Sequence, residues 1–304
     1  MSAPPPSADG LAVLVERLLD GLSSTLATVL ASEDADAVHD VRVATRRLQQ
    51  LCAVLASAPR SKRVDRLRKG LRRVRRTLGS WRNFDVALEA VAARARATRS
   101  PRRRAAWKLV AAYLEQRRLE ERIRARRALL VRDARTLPQG LREVLEKLAA
   151  AGTGNGTRDA VRARAQAAWG EWQDAYRRAD QQHDVASIHG LRIATKRLRY
   201  RMEIARCLGQ TAAEPALGWA RRVQHLLGEW HDRQVLQRLM AEAFARPEVL
   251  LGDLETVTVG VAELARERAV APAHDPDVLS RVSIEDGQRT IDDWLAADDP
   301  QSAV

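Results

Sequence analysis

"AVHDVRVATRRLQQL" runs from Ala37 to Leu51, and "SIHGLRIATKRLRYR" runs from Ser187 to Arg201. Displacing the chain by 150 positions lays His39 on His189, Arg42 on Arg192, Thr45 on Thr195, Arg46 on Lys196, Arg47 on Arg197 and Leu48 on Leu198. The match resumes one helix later. "LRRVRRTLGSWRNFDV" at 71–86 aligns with "ARRVQHLLGEWHDRQV" at 220–235 at a displacement of 149, pairing Arg72 with Arg221, Gly79 with Gly228 and Trp81 with Trp230. Two blocks repeated in the same order mark an internal duplication.

The first block of each copy reads as an amphipathic helix. With His39 at the origin and 100° per residue, Arg42 falls at about 300°, Arg46 at about 340° and Arg47 at about 80°. The opposite face gathers Val41, Ala44, Leu48, Leu51, Cys52 and Leu55, an apolar stripe wide enough to bury. The second copy sets His189, Arg192, Lys196, Arg199 and Tyr200 against Leu191, Ala194, Leu198, Met202 and Ala205. Cations therefore crowd one face of each helix, with no acidic partner expected at the neighbouring spacings. Like charges so placed cost a few tenths of a kcal/mol per pair, which an anionic ligand would offset. Asp36 and Ser187 are the candidate N-caps, placing each His in a first turn where the helix end itself favours an anion. A basic helix face is commonly no more than solvated surface, but the spacing His-x-x-Arg-x-x-x-[Arg/Lys]-Arg persists in both copies while the surface around it diverges.

Composition points the same way. Of 304 residues, 52 are Lys or Arg and 39 are Asp or Glu, for a net charge of +13, so an anionic partner is expected. Only five of the basic residues are Lys, and the planar guanidinium fork suits phosphate oxygens. A GC-rich genome would enrich Arg equally, which makes this support rather than proof. Cys52 and Cys207 show no metal-binding spacing and lie at apolar helical positions, so buried reduced thiols and a cytoplasmic setting are expected. The Pro-rich start at 1–9 reads as a disordered leader without signal-peptide order, and no run is long and apolar enough to span a membrane.

Ala, Arg, Leu and Glu dominate and β-branched runs are absent, so the chain is expected to be all-α. Helices are expected near 10–31, 37–57, 62–78, 82–97, 101–136, 139–150, 158–182, 187–208, 214–228, 231–245 and 248–270, with "GTGNGT" at 152–157 as the linker between repeat halves of about 10–150 and 158–270. Residues 60–76 carry ten basic residues against one Asp. Arg72 and its counterpart Arg221 lie on the flank of the core stripe, where a groove could receive them, whereas Arg73 and Arg76 face solvent. The acidic stretch 271–304 reads as a flexible, solvated tail. A sharper alternative docks "SIEDGQRTIDDWLAADD" on the basic surface as a competitor of the ligand. The seven Trp fall mostly at helix-packing positions, where the core is the expected place.

The paired motifs "VHDVRVATRRL" and "IHGLRIATKRLRY", each followed by a basic helix ending in Leu-Gly, resemble the CHAD domain, the conserved histidine α-helical domain, over about residues 10–270. That resemblance implies two four-helix bundles related by a pseudo-twofold axis around a basic central pore or cleft. It implies binding of inorganic polyphosphate, association with polyphosphate granules, and polyphosphate-metabolising enzymes as further partners. Carried across by position, the ligand-binding residues would be His39, Arg42, Arg46, Arg47 and Arg72, with His189, Arg192, Lys196, Arg197, Arg199 and Arg221. The sequence departs from the family pattern after each Leu-Gly, reading Arg82-Asn83-Phe84-Asp85 and His231-Asp232. These acidic positions are expected to orient neighbouring cations or cap helices rather than touch ligand.

Two other function classes are compatible with the charge. A nucleic-acid-binding protein would use the same cations, yet two Phe and three Tyr leave few stacking platforms and no duplex-reading motif stands out. A phosphohistidine carrier normally exposes one reactive His without dense Arg around it. No metal cluster, acid–base carboxylate pair or Glu-x-Glu-x-Lys triphosphatase pattern emerges, so a non-catalytic binding module without cofactor or membrane partner is the favoured expectation.

Overall fold

The computed structural model describes residues 9–55, 61–132, 136–151, 155–245, 259–264, 266 and 276–297. The chain is all-α, and among the described residues there is no strand. Its helices are α1 (Asp9–Ala31), α2 (Ala35–Leu55), α3 (Lys62–Thr77), α4 (Gly79–Ala97), α5 (Pro101–Arg132), α6 (Thr136–Ala151), α7 (Asn155–Gln182), α8 (Val185–Cys207), α9 (Glu214–Phe244) and α10 (Ile284–Ala297), with residues 259–264 also helical. Much of the expected 248–270 segment lies outside the described residues.

The two Leu-Gly positions behave differently. Leu78, at φ −84° and ψ 1°, separates α3 from α4, although its carbonyl still accepts from the Arg82 amide at 3.2 Å. Gly228 instead lies inside α9, which runs unbroken where two helices were expected. An internal glycine costs about 1 kcal/mol relative to Ala. That is too little to end a helix whose Leu227 and Trp230 are buried.

The chain forms two compact units, one from the residues up to Arg75, Leu129–Leu227 and Pro276 onward, the other from Arg76–Ala128 and Gly228–Asp275. Each unit draws on both repeat halves. In the first, α1 lies against α2 and α6, α7 lies against α8, and α2 touches α6, α7 and α8. The apolar stripes supply its core: Val41, Leu48, Leu51 and Cys52 from α2, and Leu191, Leu198, Met202 and Ala205 from α8, are fully buried. The turn from α7 to α8 is two residues long. His183 takes a left-handed φ of 52°, and Asp184 caps the next helix.

Helix α10 corrects the expectation of a flexible tail. Ile291 and Trp294 are buried, the Trp219 indole N–H donates to the Ser283 carbonyl at 2.7 Å, Gln173 pairs with Gln288 at 2.8 Å, and Arg162 donates to the Leu295 carbonyl. Gly287 sits against the Trp219 ring, where an added Cβ would come within 2.5 Å. Trp219 in turn meets Trp169 and Trp172 edge-on, while those two stack at 5.0 Å. The dock is therefore apolar rather than ionic. Asp286 pairs with Arg289 and Asp292 with Gln288, both inside α10, and among the described residues no ion pair ties this helix to the basic helices. All seven Trp are buried, as expected of core residues.

The second unit is built on α4, the 101–128 part of α5, the 228–244 part of α9 and the helical residues 259–264. Its core includes Phe84, Val91, Trp107, Leu114, Leu236, Leu239 and Leu264. Asp85 is buried beside Arg118 at 3.5 Å, and burial raises its carboxyl against the pull of Arg118 and Arg82. It orients cations within this unit, in keeping with its expected role.

Both cysteines are free, Cys52 buried and Cys207 only half-buried. Burial pushes the Cys52 thiol up to about 12, and raises that of Cys207 as well. In the folded protein a maleimide reagent is expected to label Cys207 well before Cys52, as mass spectrometry would resolve. Replacing Trp294 by Ala empties a fully buried site and should cost about 3–5 kcal/mol. Gly287→Ala overpacks the Trp219 ring and should cost about 1–3 kcal/mol. A lowered melting temperature for both variants, followed by calorimetry, checks that α10 belongs to the core.

Candidate anion-binding site

Both His-bearing helices start from an aspartate. Asp34 Oδ1 accepts from the amides of Asp36 and Ala37 at 2.8 and 3.3 Å, and Asp184 Oδ1 accepts from the Ser187 amide at 2.6 Å. These are the N-caps, in place of Asp36 and Ser187, and they stand 150 positions apart like the motifs they precede. The consequence is chemical. A carboxylate already occupies the first-turn N–H groups, so the helix ends are not vacant anion sites, and His39 and His189 stand one turn further in. Any anion held here must be held by side chains.

The repeat also explains its own non-cationic members. Thr45 and Thr195 are fully buried. Thr45 donates to the Arg42 carbonyl at 3.0 Å, while Thr195 donates to the Leu191 carbonyl at 2.9 Å and accepts from the Trp172 indole at 2.8 Å. They are packing residues. A second symmetry is hidden by an exchange of residue types. Arg75 of α3 donates to Gln49 of α2 at 2.5 Å, and at the matching places Arg199 of α8 donates to Gln224 of α9 at 2.7 Å. Donor and acceptor have traded helices while the bond remains. Arg42 adds a tie from α2 to the Arg75 carbonyl at 2.7 Å.

Helices α2 and α8 pack against each other, so one copy of the motif lies beside the other. Glu203 of α8 joins them: Arg47 of α2 donates to its Oε2 at 3.2 Å, and Arg199 donates to its Oε1. Arg199 therefore has an acidic partner one turn along its own helix, contrary to the expected absence of such partners. Arg47 and Arg221 line a small cavity of about 100 Å³ together with Arg17, Arg206, Tyr200 and Glu203. Arg221 and Arg206 share Glu214 at 3.1 and 2.9 Å.

The remaining predicted residues divide. His189 is half-buried, and burial first, then Arg192 and Lys196, lower its pKa, which places these three side chains in one electrostatic cluster. His39 is exposed near the start of α2, and Arg46 is half-buried on the same helix. Arg72 is exposed on α3. Arg197 parts from the others: it pairs with Glu171 of α7 and lines a wider groove of about 490 Å³ between α7 and α8, together with Asp174 and Arg178. That groove sets two acidic side chains against two arginines, whereas the smaller cavity sets Glu203 against four, which makes the groove the poorer anion site. Arg17, Arg206 and Glu203 were not foreseen. Arg17 and Arg206 lie outside the repeated blocks, and the packing of α1 and α8 against α2 brings them to Arg47.

No helix is long and apolar enough to cross a membrane among the described residues. Among curated proteins no sequence matches this chain. The fold is similar to the crystal structure of the CHAD domain from the plant Ricinus communis, with a TM-score of 0.68 and 23% identity, covering 93% of this chain and 95% of that one. The family model for the CHAD domain matches residues 14–241. A duplicated His-helix motif, an all-α fold and a family match over most of its length together place this chain in the CHAD family.

Proposed function

We propose that this protein binds inorganic polyphosphate, without catalysis, through the cationic faces of α2 and α8 and the flanking helices, and that this binding carries it to polyphosphate granules. The ligand-facing set is His39, Arg42, Arg46, Arg47, Arg72, His189, Arg192, Lys196, Arg199 and Arg221, extended by Arg17 and Arg206, while Arg197 faces the separate α7–α8 groove. One observation carries the reading. Two basic helices lie side by side, with Glu203 held between Arg47 and Arg199.

The chemistry follows from charge density. Polyphosphate offers negative oxygens along a narrow chain and no bases, so it can be recognised only by cations and N–H donors. Arg supplies a planar fork for two oxygens, and each cation that meets a phosphate releases condensed counterions. Glu203 holds Arg47 and Arg199 in place, which reduces the side-chain entropy lost on binding. The burial of all seven Trp leaves the indole rings unavailable as base-stacking platforms, which favours a ligand without bases.

His189 adds a pH dependence whose sign can be worked out. Its pKa is lowered from 6.5 in the free protein, so the ring is neutral near pH 7. A bound polyanion favours the imidazolium and raises that pKa, so binding takes up a proton and tightens as pH falls through the raised pKa of the complex towards the lowered one of the unliganded protein. Affinity should be higher at about pH 6 than at about pH 8. The difference should shrink in His39→Gln/His189→Gln, and equal affinities at both pH values in the unsubstituted protein would remove the imidazoles from the site.

Replacing His39, Arg46, His189 and Lys196 together by Ala should weaken polyphosphate binding at least about 100-fold at low salt and lower the log–log salt slope. Calorimetric titration across a salt series measures both. In competition at matched phosphate concentration, long-chain polyphosphate is expected to displace duplex DNA, and the reverse order would favour a nucleic-acid ligand.

A further inference from the structure

Helix α3 presents a second cationic surface, separate from the residues assigned above. Taking Lys62 as origin, Arg66 lies at about 40°, Lys69 at about 340° and Arg73 at about 20°. All four are exposed. They form a single file that rises about 16 Å along the helix, at 1.5 Å per residue. The opposite face is anchored, with Val64, Leu71 and Val74 buried, and on one flank Gly70 is close enough to α6 that an added Cβ would lie 2.9 Å from Leu137. Arg72 points about 80° to one side of the file, toward the flank already assigned.

What distinguishes Lys62, Arg66 and Lys69 in this file is the treatment of charge. Several exposed or half-buried arginines on other helices have acidic neighbours on their own helix: Arg117 has Glu120 at 2.5 Å, Arg118 has Glu115 at 3.1 Å, Arg177 has Asp174 at 2.5 Å and Arg289 has Asp286 at 2.6 Å. On α3, Glu143 pairs with Arg63 away from the file, and Asp65, although a helical neighbour of Lys62 and Lys69, pairs with Arg68 instead. Lys62, Arg66 and Lys69 make no ion pair among the described residues, and Arg66 reaches only the Lys62 carbonyl of its own helix, at 3.4 Å. Lys62 with Arg66, Arg66 with Lys69 and Lys69 with Arg73 are like-charge neighbours at helical spacing, each destabilising by a few tenths of a kcal/mol.

We infer that the file Lys62–Arg66–Lys69–Arg73 is an outer track on which a long polyphosphate chain continues once one segment is held at α2 and α8. The inference rests on the reading given under Proposed function. The geometry favours a single strand of charge. The file is one cation wide, and α3 carries no aromatic, Asn or Gln with which to read a base. The track makes affinity depend on chain length, because a long ligand gains the extra contacts as a second, tethered engagement, whereas a short one occupies the α2–α8 site alone.

The test compares the full-length protein with Lys62→Gln/Arg66→Gln/Lys69→Gln/Arg73→Gln, using tripolyphosphate, long-chain polyphosphate and a DNA duplex as probes across a salt series. The variant should bind long-chain polyphosphate about 10-fold or more weakly at low salt, with a salt slope lower by about 3, the sum of roughly 0.7 per cation lost. Its affinity for tripolyphosphate should be unchanged. Equal losses on both lengths, or no loss on the long chain, would overturn the track, as would a loss seen only with DNA. If the unsubstituted protein binds neither phosphate probe, the proposed function itself fails and takes the track with it. Removing like-charge neighbours should leave the melting temperature unchanged or raised. If the fourfold variant melts lower, Lys62→Gln/Lys69→Gln replaces it, with about half the change in slope expected and no change again overturning the track.

Discussion

Everything at the candidate site depends on two positively charged helices lying next to each other. Helices α2 and α8 each bury an apolar stripe and each present cations, so bringing them together is favoured by the first property and opposed by the second. The buried side chains are worth roughly 1.5–3 kcal/mol apiece, against a few tenths for each like-charge neighbour pair, so packing wins. Glu203 moderates what remains. Its two oxygens reach one guanidinium from each helix, in a setting where both Glu203 and Arg199 are about seven-eighths shielded from water. A carboxylate shared in this way holds the arginines in fixed positions without cancelling their combined charge.

The duplication is easiest to understand as conserved packing rather than conserved letters. Asp34 and Asp184 start the two helices, Thr45 and Thr195 are sealed beneath them, and an Arg–Gln bond ties each to the basic helix that follows. In one copy the Arg stands on the following helix, in the other on the His helix itself. The hydrogen bond needs one donor and one acceptor and is indifferent to which helix supplies which. This exchange moves a cation from Arg75 to Arg199, so two halves with the same skeleton carry unlike charge maps, and Glu203 beside Arg199 answers that change.

The acidic C-terminal helix shows how composition can mislead. Its Asp and Glu residues suggested either solvation or attraction to the basic surface, but the free energy lies in Ile291, Trp294 and the Gly287 contact with Trp219. An exposed ion pair contributes at most about 1 kcal/mol, and a buried Trp several times that, so α10 goes where its apolar face fits. Asp286 and Asp292 then bond to Arg289 and Gln288 within the helix.

The residues alone determined the helical class, the duplicated motif, the apolar stripes of α2 and α8 and the placement of most Trp in the core, because periodicity and side-chain hydrophobicity are local properties. They also carried the family resemblance, since the His-x-x-Arg spacing is written in the chain. The N-caps were misplaced by two or three residues because Asp34, Asp36, Asp184 and Ser187 are all chemically able to cap, and backbone geometry chooses among them. The partners of the cations were decided by tertiary structure alone. Glu203 for Arg47, Glu171 for Arg197 and the Arg17–Arg206 lining of the small cavity join residues from different helices, and a charge meets its partner only after apolar packing has set those helices side by side.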